Sequence, residues 1–240
     1  MKGLLQVVAV ELRLIVRDPS SAFFALAFPA VLLWVKMRSS DSLPGGVRDI
    51  DANVPMLSVF VIGVAALVVL PSTIAQYRER GILKRLRATP AAPGLLLGAQ
   101  WIAHLLLAVA GTAVLIAIGA LAFDLAAPAN GAKVLLAWLL GASSLGGIGL
   151  LIGALVPNNR SATLLGLGLF FPMVFVSGAM IPRELTSGAL RTIGDWTPMA
   201  PVVETMRAAW SGEPLSALTL IVMAAITVTT TALAARLFRA

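Results

Sequence analysis

Residues 52–77 read ANVPMLSVFVIGVAALVVLPSTIAQY, a run that contains no charged side chain. A charge at the centre of a bilayer costs about 2.5–3.5 kcal/mol even on the lenient insertion scale. About 20 apolar residues in helical form are enough to cross the hydrocarbon core. This stretch therefore predicts a membrane-spanning helix, and it decides the class of the whole chain.

Five further charge-free stretches are found on either side of it. Hydrophobic residues make up 59% of the chain and charged residues 12%, whereas a soluble domain carries about 25% charged residues. A soluble globular domain is thereby excluded. We predict an all-α integral membrane protein with one transmembrane domain over residues 20–237. Its six transmembrane helices lie at approximately 20–36, 53–76, 95–123, 134–156, 162–181 and 215–235.

The basic residues predict the orientation of these helices. An even number of spans places both termini on one side of the membrane, and eleven of the 18 lysines and arginines lie on that side. Positive residues accumulate in cytoplasmic loops, so we predict that both termini are cytoplasmic. The same bias explains most of the net charge of +7, and no nucleic-acid partner is needed to account for it.

Residues 1–19 predict a helix that lies on the membrane rather than through it. Lys2, Gln6, Arg13 and Arg17 fall within about 60° of one another on a helical wheel, and Glu11 lies on the opposite side. A basic stripe of this kind is typical of a helix in the interface. It serves either as an anchor to lipid headgroups or as a contact with a partner.

The loop after the second span predicts a short cytoplasmic helix over residues 78–88. Ile82, Leu83 and Leu86 share one face at helical spacing, charged residues cover the remainder, and Pro90 ends the pattern. Such a helix suits docking into a groove on a soluble partner. A polybasic segment resting on anionic lipid is the alternative, and the chemistry alone leaves both open.

Residues 78–90, RERGILKRLRATP, resemble the R-E-x-G-T-L-x-x-L-x-x-T-P signature of bacterial ABC type-2 exporter permeases. Four other elements are similar to that family in the same order: Arg17-Asp18-Pro19 before the first span, Phe28-Pro29 within it, SGAMIP at 177–182, and Thr197-Pro198 ahead of Arg207. The resemblance covers essentially the whole chain. It departs from the family pattern at Ile82, where threonine is usual, at Lys84, where an acidic residue is common, and at Thr197, where asparagine is usual.

The resemblance implies a set of functional segments. Residues 1–19 would be the interfacial elbow helix, residues 78–88 the coupling helix that receives the motion of an ATPase subunit, and residues 182–213 an outer re-entrant loop. A second ATPase contact would involve Arg17, Asp18, Asn159 and Arg160. The coupling-helix contacts would be Arg78, Glu79, Arg80, Gly81, Ile82, Leu83, Lys84, Arg85, Leu86 and Arg87.

Two groups of residues inside the spans have both a structural and a functional interpretation. Gly149 and Gly153 form a small-x-x-x-small pair, which lets helices approach closely in lipid; the pair is either plain packing or a mobile seam. Four residues near the outer half of the fifth span either line an apolar path or contact lipid: Phe170, Phe171, Met173 and Phe175.

No G-x-x-x-x-G-K-[ST] phosphate loop occurs in the chain, and no metal-ligand cluster or catalytic constellation is visible. We therefore expect a transport subunit rather than an enzyme, with ATP and Mg²⁺ bound by a separate ABC ATPase and no cofactor or metal on this chain.

The resemblance implies a multi-pass protein of the bacterial cytoplasmic membrane. It also implies a second permease copy, or a related permease, and a hydrophobic or amphiphilic cargo such as a drug, a lipid or a glycolipid. Multidrug export and antibiotic resistance are activities of this family.

Two rival functions make different predictions. A secondary transporter or channel driven by an ion gradient would place ionisable residues at the membrane midplane. A membrane-embedded enzyme acting on lipid would need a polar catalytic cluster at the interface. The sequence shows neither pattern.

Overall fold

The computed structural model describes residues 2–19, 23–38, 49–82, 93–180 and 188–239. Every regular element in this part of the chain is helical. We number the helices α1 to α9, where α2 and α3 each contain a π-helical stretch. They are α1 (Lys2–Arg17), α2 (Phe23–Ala27 and Phe28–Arg38), α3 (Asp49–Gly63, Val64–Val69 and Leu70–Glu79), α4 (Pro93–Ala122), α5 (Gly131–Leu155), α6 (Asn159–Val176), α7 (Gly188–Asp195), α8 (Ala200–Ser211) and α9 (Ala217–Arg239).

Five of the described helices are long and apolar enough to cross a membrane: α3, α4, α5, α6 and α9. They coincide with the predicted spans two to six, with ends that differ by a few residues. The described part of α2 runs from residue 23 to residue 38, which amounts to about 24 Å of helix against a hydrocarbon core of about 30 Å. The first span therefore stays a prediction, and the count of six with it.

Helix α3 is the centre of the bundle, because 94% of its most apolar window is buried. It packs against α4, α5, α6 and α8. Helix α9 lies at the periphery, where it packs mainly on α5 and only 11% of its window is buried. The amphipathic helix α1 packs on α4.

Both π-helical stretches lie just ahead of a proline, and each faces a glycine of another helix. Proline has no N–H, so Pro29 and Pro71 leave the carbonyls of Ala25 and Leu67 without their usual i+4 donor. A Cβ on Gly111 would overlap the Ala25 carbonyl oxygen, and a Cβ on Gly166 would overlap that of Leu67. Glycine is thus required where the widened backbone meets its neighbour.

Lys36 joins three elements at one end of the bundle. The Lys36 Nζ donates to Asn53 Oδ1 at 2.8 Å and to the Met180 carbonyl at 2.7 Å, which joins α2, α3 and the turn after α6. Helix α8, within the predicted outer loop at 182–213, buries Val202, Val203 and Met206 against the bundle.

Candidate functional site: a junction at the end of α3

The last three residues of α3 each contact a different part of the bundle. Tyr77 reaches α1, Arg78 reaches the end of α5 and also α9, and Glu79 reaches the beginning of α6. We call Tyr77, Arg78 and Glu79 the α3 junction. The sequence predicts the coupling helix over residues 78–88, and the structure places its first two residues, Arg78 and Glu79, at the end of α3.

Tyr77 ties α3 to the interfacial helix α1. Its hydroxyl lies 2.8 Å and 2.7 Å from the two carboxylate oxygens of Glu11 and donates to that carboxylate. Both side chains are buried, with Glu11 4% exposed and Tyr77 8%. A buried carboxyl without a partner is strongly unfavourable, so this contact explains how a polar residue on the apolar side of α1 is accommodated.

Two polar residues of α4 extend this buried cluster. Gln100 and His104 are both buried, and the His104 Nδ1 lies 2.8 Å from the Gln100 carbonyl oxygen. A carbonyl only accepts, so Nδ1 carries the ring proton and Nε2 is an acceptor. Burial raises the pKa of the Glu11 carboxyl, and the hydrogen bond from Tyr77 together with the nearby Gln100 amide opposes part of that shift.

The raised pKa of Glu11 predicts a pH-dependent attachment of α1. The folded chain holds the Glu11 proton more tightly than the unfolded chain. Its contribution to stability is therefore complete below the ordinary carboxyl pKa and is lost as the pH rises through the raised value. We expect the thermal midpoint in detergent to decrease as the pH rises above about 4.5, the ordinary pKa of this carboxyl. Glu11→Gln, which still accepts from Tyr77, should flatten this slope.

Arg78 closes the end of α5. Its Nη1 donates to the Val156 carbonyl and its Nη2 to the Ala154 carbonyl, both at 2.8 Å. The last carbonyls of a helix have no intrahelical donors and carry the negative end of the helix dipole, so a guanidinium is well suited to this position. The Arg78 guanidinium carbon also lies 5.6 Å from the ring centroid of Phe238, on α9.

Glu79 accepts a hydrogen bond at the N-terminus of α6, just as Arg78 donates hydrogen bonds at the C-terminus of α5. Its Oε2 accepts the Asn159 N–H at 3.2 Å, while Asn158 caps the same helix by accepting the Ser161 N–H at 2.8 Å. A carboxylate at a helix N-terminus meets the positive end of the dipole. Arg78 and Glu79 are therefore hydrogen-bonded to the two ends of the α5–α6 connection. A displacement of α3 would be transmitted through these bonds to both helices.

The α3 helix stops immediately after the junction. Gly81 adopts a φ of +69°, a left-handed conformation that favours glycine at a helix end. Arg80 is exposed and Ile82 is half-buried. The remaining predicted coupling-helix residues, Leu83, Lys84, Arg85, Leu86 and Arg87, lie outside the described residues.

The residues predicted as ATPase contacts divide into two groups. Arg80 and Arg160 are exposed, as are Arg17 and Asp18 at the end of α1, so their surfaces can meet a partner. The Arg78 side chain instead points into the bundle. Asn159, predicted as part of the second contact, lies on the same connection that Glu79 holds. The two predicted contact regions are thus physically joined within this chain.

The glycines predicted for helix packing face α3 directly. A Cβ on Gly149 would overlap the Ala66 carbonyl oxygen in the π-helical part of α3. A Cβ on Gly153 would lie 2.9 Å from the Cβ of Ile74. The close approach of α5 to α3 therefore depends on these two positions.

The four residues predicted along the path are divided between two faces of α6. Phe170 and Met173 point into the bundle, where the Phe170 ring lies 5.1 Å from that of Phe60 between centroids. Phe171 and Phe175 are 43% and 42% exposed. Only the latter pair lies on a surface that a path between two subunits could use.

Sequence reasoning singled out Arg78 and Glu79 for a different role and did not find Tyr77. Two signals were available: Tyr77 is the single tyrosine in the chain, and Glu11 lies on the wrong face of an amphipathic helix. The carbonyl partners of Arg78 leave no signal in the sequence, because every residue has a backbone carbonyl.

Among the described residues, no group of three or more His, Cys, Asp or Glu residues could hold a metal ion. Comparison with protein families gives a match over residues 3–210 to the model described as ABC-2 type transporter. No curated protein matches the chain.

Proposed function

Because the chain belongs to the ABC-2 type transporter family and is its permease component, we propose that it is driven by a separate ABC ATPase and exports a hydrophobic or amphiphilic cargo. Members of this family form the membrane subunit and do not carry the ATPase. ATP and Mg²⁺ would be bound by the partner. The family match also favours this function over a carrier or channel driven by an ion gradient.

The α3 junction is the observation that carries the proposal. A permease that is driven by a separate ATPase needs a rigid connection between the surface that the ATPase moves and the membrane helices that respond. Tyr77, Arg78 and Glu79 provide one, since they attach the end of α3 to α1, α5, α6 and α9 through hydrogen bonds of 2.7–3.2 Å and a ring contact. A coupling helix over residues 78–88 would pass its displacement into all four elements through this junction.

The exposed faces of α2 and α6 suit a path between two permease copies. Val31 and Trp34 on α2 are exposed by 52% and 46%, and Phe171 and Phe175 on α6 to a similar degree. A second copy, identical or related, would bring two such faces together. The apolar character of these faces favours an apolar or amphiphilic cargo. Under the positive-inside rule, the junction and both termini lie on the cytoplasmic side of a bacterial inner membrane.

Co-purification tests the proposal. We expect the wild-type chain to retain an ATPase that contains a phosphate-binding loop. Leu83→Asp plus Leu86→Asp should release the ATPase, because two charges on the predicted apolar face of this segment would prevent docking. The matched control, Lys84→Ser plus Arg85→Ser, changes the polar side of the same segment and should keep the ATPase. Retention by the aspartate variant, or release by the serine variant alone, would contradict a docking role and favour attachment to anionic lipid.

A further inference from the structure

A groove of about 440 Å³ runs along the lipid-facing side of the bundle between α4, α5 and α9. Gly98 and Trp101 of α4, Ser143 and Leu150 of α5, and Thr231 and Phe238 of α9 lie along it. Its wall is almost wholly apolar. None of its lining residues lies on α6, the helix that carries Phe171 and Phe175.

The dimensions of the groove fit a single hydrocarbon chain in one leaflet. On α9 it extends from Thr227 to Phe238, which is about 16 Å at the rise of an α-helix, and half of the hydrocarbon core is about 15 Å.

The end of the groove at Phe238 is positively charged. The Arg78 guanidinium carbon lies 5.6 Å from the centroid of the Phe238 ring. A guanidinium has five N–H donors, and the carbonyls of Val156 and Ala154 take one from each terminal nitrogen. Donors therefore remain for a phosphate oxygen, whereas the acid nearest in sequence, Glu79, is directed to the Asn159 N–H.

We propose that this groove binds one acyl chain of an anionic phospholipid whose phosphate lies at Arg78. The lipid belongs to the cytoplasmic leaflet. This choice of leaflet rests on the orientation given under the proposed function, whereas the binding of the lipid to the groove does not depend on that orientation. Since Arg78 also closes α5, an occupied groove places a lipid phosphate directly beside the α3 junction. Anionic lipid should then stabilise the junction.

Cysteine protection in the purified permease, without any ATPase, tests the proposal. The chain contains no cysteine, so Thr231→Cys in the groove and Val228→Cys elsewhere on α9 give single-site probes for a maleimide in detergent micelles. Phosphatidylglycerol at about ten times its dissociation constant should slow the labelling of residue 231 about tenfold. Residue 228 should be unaffected, and phosphatidylcholine or inorganic phosphate should protect much less.

Filling the groove provides the matched variant. A Cβ on Gly98 and a Cβ on Gly168 both meet nothing within 4 Å, so either position accepts leucine without a clash at its first carbon. Gly98→Leu should abolish protection of the cysteine at 231, and Gly168→Leu on α6 should leave it intact. Equal slowing at 228, equal protection by phosphatidylcholine, protection by phosphate alone, or survival of protection in Gly98→Leu would overturn the proposal. None of these outcomes touches the co-purification test of the proposed function.

Discussion

An Arg78→Ala permease is expected to assemble with its ATPase and to lose most of the ATP-driven response of its membrane helices. The substitution removes two hydrogen bonds from a charged donor to the carbonyls of Ala154 and Val156. Hydrogen bonds to charged groups contribute about 1.5–3 kcal/mol each, and 1.4 kcal/mol is a factor of ten in an equilibrium. The junction should therefore release α5 in a large share of molecules, while the partner continues to hydrolyse ATP.

Two variants separate the role of Arg78 from its charge. Arg160→Ala removes an exposed arginine from α6, close to the same connection, and should keep the coupled response. Arg78→Lys keeps the charge but cannot donate to two carbonyls in the fork geometry of a guanidinium, so it should be impaired nearly as much as alanine. Full coupling in Arg78→Ala would show that the junction does not transmit the motion.

A Gly149→Val permease is expected to lose at least about 3 kcal/mol of stability. Overpacking a well-packed core typically costs about 1–3 kcal/mol, and here the added carbon overlaps the Ala66 backbone carbonyl rather than a flexible side chain. Helix α5 would have to move away from the π-helical part of α3. The measurement is the thermal midpoint in detergent, together with the yield of membrane-integrated protein.

Gly168→Val is the control for this prediction. It makes the same chemical change in the neighbouring span, at a position where a Cβ meets nothing within 4 Å. We expect its midpoint to stay close to that of the wild type. Equal destabilisation by both variants would mean that valine harms any of these helices, and the close contact between α5 and α3 would then have no special importance.

The membrane helices could be predicted because long apolar stretches without charged residues identify them. A charge-free run such as 52–77 has a single physical solution in a bilayer, and the resemblance of residues 78–90 identifies the family. The widening of α3 at Val64–Val69 could not be predicted. It depends on which neighbouring helix offers a glycine to the carbonyls of Ala66 and Leu67, and that is a property of the packed bundle.

The directions of the side chains in the site could not be predicted from the sequence either. Phe170 and Phe171 are both apolar residues in an apolar helix, and only the packing against Phe60 distinguishes the buried ring from the exposed one. Through the resemblance to the exporter permeases, Arg78 was assigned to a surface that meets the ATPase. Its true neighbours are backbone carbonyls at the end of α5, which lie more than 70 residues away in the chain.

The most direct test of an ATP-driven permease that works through the α3 junction is the labelling rate of a single cysteine at Phe171, measured in the purified complex with its ATPase. We expect ATP plus Mg²⁺ to change this rate several-fold in the wild-type background, and Arg78→Ala to abolish the change while ATP hydrolysis continues. A rate that does not respond to ATP, or a response that persists in Arg78→Ala, would contradict this expectation.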